Sequence, residues 1–122
     1  MPEESSPLLA VRVRSVPEAV VVEAAGELDL ASAPVLRARA GAALEERPEA
    51  LVVDLGGIGF CGSAGLQVIA ELVAAATAAD VPFALVTDRR AVLRALRITK
   101  LDTTFALYPT LSGARAWLRE RA

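Results

Sequence analysis

Two hydrophobic periods alternate along this chain, and that alternation restricts its fold more than any other feature. Residues 50–55 form a short apolar run with Asp54 near its end, and residues 81–87 form another. Between them, from Ser63, the residues Leu66, Ile69, Ala70, Val73, Ala74 and Thr77 recur at helical spacing. A short continuous apolar run reads as a buried strand, and recurrence every three or four residues reads as one helix face. A strand, a helix and a strand in that order build a parallel unit with a right-handed crossover. The helix from Ser63 is apolar around much of its circumference, which predicts a place in the middle of the packing.

The remaining segments extend the pattern. Residues 8–16 alternate apolar side chains with Arg12 and Arg14, Pro17-Glu18 makes a turn, and residues 19–25 are apolar and β-branched, which predicts an antiparallel hairpin. Ser32-Ala33-Pro34 opens a helix with Val35, Leu36, Ala40 and Leu44 on its inward face, and Pro48 bounds it. Residues 89–98 predict an arginine-faced helix with Val92, Leu93 and Leu96 inward. Residues 104–108 read as a short edge strand, and residues 111–121 as a last helix with Leu111, Ala114, Trp117 and Leu118 inward. The order β-β-α-β-α-β-α-β-α predicts one α/β domain over residues 1–122, with about five strands in a mostly parallel sheet and about four helices. Residues 1–7 read as a flexible, acidic lead-in.

Composition removes several functions. The chain has no histidine, so Ser-His-Asp and Cys-His catalysis and the commonest zinc and iron ligands are absent. Any enzymatic chemistry would fall to carboxylates, hydroxyls or a bound cofactor. The expectation is therefore a binding module that is not an enzyme and needs no metal or cofactor. Lys100 is the only lysine among 13 basic residues, and the arginines are interleaved with apolar residues in a chain of net charge −2. Without a positive field or aromatic stacking platforms, nucleic acid is not an expected partner. The best apolar stretch is interrupted by Glu71 and Asp80, short of the roughly 20 residues needed to span a bilayer, so no membrane insertion is expected. A single cysteine, Cys61, excludes an internal disulfide, and residues 1–7 lack the basic-then-apolar order of a signal peptide. Together these predict a cytoplasmic protein.

The segment from Asp54 to Leu66 holds most of the functional information, read as a glycine-rich crossing over residues 56–62 that leads into the helix. Gly57, Gly59 and Gly62 formally satisfy G-x-G-x-x-G, with Asp88 as a candidate ribose acid. Against a small nucleotide-binding domain stand the late position of the motif, the distance to Asp88 and the lack of length for a substrate domain. A P-loop fails because Ser63-Ala64 stands where lysine and a hydroxyl residue are required. A nucleophile elbow fails because Cys61 replaces its first glycine and no histidine can take the serine proton. The last reading places Ser63 at the head of the helix, its hydroxyl among free backbone N–H groups. It is then either a plain N-cap or a switch, since a phosphate there suits the positive end of the helix dipole and repels a partner resting on it.

Phe60-Cys61-Gly62-Ser63-Ala64-Gly65-Leu66 resembles the Phe-Met-Asp-Ser-Ser-Gly-Leu motif of STAS domains, specifically bacterial anti-sigma factor antagonists of the SpoIIAA kind. Gly26-Glu27-Leu28-Asp29 matches that family's Gly-Glu-Leu-Asp after the second strand, and residues 93–108 resemble its third helix, turn and last strand. The resemblance covers nearly the whole chain in order. It implies a STAS-like fold and partner switching: the antagonist binds an anti-sigma factor that is also a serine kinase, the sigma factor is released, and phosphorylation reverses the binding until a serine phosphatase restores it. It implies Ser63 as phosphoacceptor and Glu27, Leu28, Asp29, Gly62, Ser63, Ala64, Gly65 and Leu66 as the partner-facing residues. Gly62 departs from the motif's aspartate, which leaves open a non-phosphorylated adaptor in another complex. Ala64 leaves one hydroxyl in the segment, and Lys100 stands where a glycine is common, read as a variant helix end.

Overall fold

The computed structural model describes residues 8–121, so the expected flexible lead-in of residues 1–7 lies outside the described residues. In chain order come β1 (Leu9–Val16), β2 (Ala19–Leu28), α1 (Ala33–Glu45), β3 (Leu51–Cys61), α2 (Ser63–Ala78), β4 (Phe83–Val86), α3 (Arg90–Ile98), β5 (Ala106–Tyr108) and α4 (Leu111–Arg121). A single 3-10 turn, Leu101–Thr103, joins α3 to β5. The sheet order is β1-β2-β3-β4-β5, with β1 antiparallel to β2 and every other pair parallel. Because parallel neighbours follow one another in sequence, right-handed crossovers deliver each connecting helix to the same face. α1, α2 and α3 accordingly share one core with Val22, Val53 and Leu85. α4 follows the last strand without a crossover and covers the other face, where Ala114 and Leu118 pack on Val21, Val52, Ala84 and Val86. Adjacent valines therefore serve opposite cores, as strand alternation requires. Burial on both faces explains why β3 and β4 open as unbroken apolar runs.

The expected crossing over residues 56–62 is the main correction. β3 continues through the glycines to Cys61, and β2 continues past Ala25 to Leu28. The two pair as Ala25 with Gly57, Gly26 with Ile58, Glu27 with Phe60 and Leu28 with Cys61. Glycine's weak strand preference is overridden by a partner strand that supplies the ladder. The glycines are thus committed to a sheet and do not form a loop around a phosphate. Register slips twice, between Glu23 and Ala25 and between Gly26 and Glu27. At the first slip the Asp54 carboxylate accepts the Gly56 N–H at 2.8 Å, occupying a donor that the bulge frees. The bulge also lets Leu55 and Ile58, three residues apart, both end fully buried in the same core. Gly26 has φ 120 and faces the Leu8 carbonyl where a Cβ would stand, so only glycine fits there.

The face of α2 also differs from expectation. Gly65, Val68, Ile69, Leu72 and Ala76 are buried, whereas Ala74 and Thr77 are exposed and Leu66, Ala70 and Val73 are half-buried. α2 is a surface helix whose outer side mixes Ala74, Ala75 and Ala78 with Ser63, Gln67, Glu71 and Thr77. A methyl side chain carries too little surface to mark which side is buried, so the pattern alone misplaced the stripe.

Candidate functional site

At the carboxyl end of the parallel strands, β2 and β3 run out together and α2 begins. Gly62 is the N-cap of α2, at φ −86 and ψ −174, and it offers no side-chain cap. Ser63 is the first helical residue. It is exposed, and its hydroxyl makes no hydrogen bond among the described residues. This corrects the plain N-cap reading, because the capping position is one residue earlier and is held by a residue without a side chain. The first turn of α2 also carries no acidic residue, so the positive end of its dipole is uncompensated.

A backbone bridge joins this helix start to the end of β2. The Gly62 N–H donates to the Leu28 carbonyl at 2.9 Å. Gly65 then rests on β2 so closely that an added Cβ would stand 2.9 Å from Leu28 Cβ and 2.9 Å from Cys61 Sγ. Beyond Leu28 the chain turns sharply. Asp29 Oδ1 accepts the N–H groups of Ser32 at 2.9 Å and Ala31 at 3.0 Å, which hold its carboxyl below the usual carboxylate range. Ser32, fully buried, donates its hydroxyl to the Glu27 carbonyl at 2.7 Å and accepts the Asp29 N–H at 3.0 Å. The loop that follows β2 is thus fixed from within and held against the start of α2.

The family described as Mlab, STAS domain matches residues 11–111. The chain belongs to the STAS domain family. The anti-sigma-F factor antagonist RsfB of Mycobacterium tuberculosis is 33% identical over 99 residues, which cover 81% of this chain and 80% of that one. The crystal structure of an anti-sigma factor antagonist from Mycobacterium paratuberculosis superposes with a TM-score of 0.84 at 34% identity, covering 94% of this chain and 98% of that one. The anti-sigma factor antagonist SpoIIAA in its unphosphorylated form shares the fold at 18% identity, with a TM-score of 0.76 over 91% of this chain and 97% of that one.

In this STAS domain the two sequence motifs, more than 30 positions apart in the chain, are hydrogen-bonded neighbours. Their side chains divide sharply. Glu27 and Ser63 are exposed, Gly62, Ala64 and Leu66 are half-buried, and Asp29 is half-buried with its carboxylate turned into the loop. Leu28 is fully buried and Gly65 faces it, so neither offers a side chain to a partner as the resemblance implied. Cys61 lies beneath the helix start, where burial pushes its thiol up to about 11. Two residues join the surface that the sequence reading did not assign to it. Phe60, paired with Glu27, is 51% exposed, and Leu30, two residues beyond Leu28, is 84% exposed. Phe60 was visible inside the motif, but only the strand geometry reveals that its ring faces out over Gly62. Leu30 carried no signal. Among the described residues no group of histidine, cysteine and carboxylate side chains is arranged to hold a metal ion, and no helix is long and apolar enough to cross a membrane.

Proposed function

We propose that this STAS domain is an anti-sigma factor antagonist that binds an anti-sigma factor serine kinase in the cytoplasm and so releases the sigma factor. In this reading Ser63 is the phosphoacceptor, a serine phosphatase restores the active form, and the protein is substrate and binding partner, not enzyme. The carrying observation is Ser63 itself: exposed, free of hydrogen-bond partners among the described residues, and first in a helix that the Gly62–Leu28 bridge holds against the Glu27–Asp29 segment. A phosphate there adds nearly two negative charges at the uncompensated positive end of α2, which the helix accommodates. A partner surface seated on Ser63, Phe60 and Leu30 meets that charge directly and is repelled. The names of the relatives support the same reading.

The test incubates the protein with anti-sigma factor kinases of its source organism and ATP, followed by mass spectrometry and a binding measurement. Phosphate on Ser63, lost in Ser63→Ala, with weaker kinase binding by the phosphorylated form, is the expected result. If every kinase that binds the protein leaves Ser63 unmodified, the switch is wrong. Gly62 favours a second reading for that outcome, a constitutive adaptor that binds without being phosphorylated.

A further inference from the structure

The start of helix α3 is set against its own electrostatics, although Arg97 in its last turn suits the negative end of the dipole. Arg89 stands at its N-cap without a side-chain cap, Arg90 is the first helical residue, and the first turn holds no acidic residue. Cations are unfavourable at that end of a helix, where the dipole is positive. Arg90 and Arg94 are four residues apart and Arg94 and Arg97 three apart, so like charges face each other along one side. Arg90, Arg94 and Arg97 are exposed and have no hydrogen-bond or ion-pair partner among the described residues. Most arginines elsewhere are engaged: Arg12 and Arg14 clasp Glu23, Arg37 meets Glu71, Arg115 and Arg119 clasp Glu18, and Arg121 lies over Trp117, whereas Arg47 is exposed without a side-chain partner among the described residues. In a domain of net charge −2, three of the arginines without a partner among the described residues thus fall on one short helix.

The same side carries an apolar residue. Val92 and Leu96 point into the core, and at about 100° per residue the outward arc of roughly 120° holds Arg97, Arg90, Arg94, Ile98 and Ala91. Ile98 is 71% exposed, next to Arg94 on the helix surface. Three unpaired guanidiniums spread over about 10 Å of helix, flanked by one bare isoleucine, match a surface with spaced carboxylates and an apolar side chain. We propose that the outer face of α3 is a second docking surface, separate from the Ser63 surface, for an acidic amphipathic protein segment. The isoleucine selects a protein over a bare polyanion, because it gains from burial in an apolar pocket and nothing from a phosphate backbone.

The probe is a synthetic amphipathic helical peptide with glutamates at i, i+4 and i+7 and leucines on the same side, titrated into isotopically labelled protein at low ionic strength. Expected are amide shifts confined to residues 89–101, absent with the glutamine version of the peptide. Arg94→Glu combined with Arg97→Glu is expected to weaken binding by about tenfold or more, and Ile98→Ser to weaken it without changing its salt dependence. Arg90→Glu separates a structural role from a docking role: it removes a cation from the helix start and adds a Glu–Arg pair with Arg94, so Tm is expected to rise by about 3 °C while peptide binding falls. Shifts elsewhere, binding that survives charge reversal, or a lower Tm for Arg90→Glu would overturn the proposal. Tighter binding to phosphatidylglycerol vesicles or to duplex DNA than to the peptide would do the same. Unchanged binding by Ile98→Ser would refute the apolar half of the match.

Discussion

Gly65→Ala and Gly41→Ala make the same chemical change in two helices and should move stability in opposite directions. In a helix interior alanine is favoured over glycine by about 1 kcal/mol. An added Cβ at Gly41, in α1, meets nothing within 4 Å, so that gain is realised in full and Gly41→Ala should stabilise by about 1 kcal/mol. At Gly65 the Cβ would stand 2.9 Å from both Leu28 Cβ and Cys61 Sγ, and 3.5 Å from Leu28 Cδ1. A cysteine side chain can yield, but a Cβ on β2 moves only with its strand, so α2 has to lift. Overpacking of this kind costs about 1–3 kcal/mol. Against a propensity gain of about 0.5 kcal/mol, smaller than at Gly41 because Gly65 lies in the first turn, the net loss should be about 0.5–2.5 kcal/mol. Urea unfolding followed by circular dichroism gives both values. Combining Gly65→Ala with Cys61→Ala should recover part of the loss and not all of it, because the contact with Leu28 remains. Lifting α2 also moves Ser63 away from the end of β2, so under the proposed function phosphorylation of Ser63 should fall in Gly65→Ala and not in Gly41→Ala. If Gly65→Ala is as stabilising as Gly41→Ala, α2 does not rest on Leu28 and Cys61, and the account of how Ser63 is positioned is wrong.

Lys100 sits at φ 62, a left-handed conformation that glycine adopts without strain. Lys100→Gly should therefore raise stability by about 0.5 kcal/mol, measured by thermal unfolding, and a loss would mean that the lysine side chain contributes packing. The Asp29 carboxyl is held below its usual range by the Ser32 and Ala31 N–H groups. Its contribution is complete above the unfolded-state pKa of about 3.9 and is lost as pH falls through the lower folded-state value. Tm plotted against pH should thus fall less steeply on the acid side for Asp29→Asn than for the parent. The Cys61 thiol, raised to about 11, should alkylate slowly at pH 8 and faster as pH approaches that value. Rapid labelling of the native protein at pH 8 would show the sulfur to be exposed.

Much of the architecture was legible because it depends on local period. Element order, the hairpin of β1 and β2, the inward faces of α1 and α3 and the parallel sheet all follow from apolar spacing and the handedness of crossovers. The end of β3 was not legible: a run such as Gly56-Gly57-Ile58-Gly59 has no strand preference of its own and becomes strand only because β2 lies beside it. Lys100 is readable as a helix end, and its φ of 62 is the left-handed conformation in which a helix commonly stops. In the site, Ser63 and the Glu27–Asp29 segment were legible as motifs. Their side-chain orientations were not, because only the packing of the β2 end against α2 turns Leu28 inward and leaves Leu30 outside.

Covalent pattern alone settled that this chain makes a mostly parallel α/β sheet and that Ser63 stands at the start of a helix, since period and turn residues are properties of the chain itself. Folding decided what surrounds that serine. The Leu28 carbonyl receives the Gly62 N–H, Gly65 presses on Leu28, and the Asp29 carboxylate turns inward to build its own loop. Each of these joins segments separated along the chain or selects one side-chain direction among several, and only packed neighbours hold such choices in place.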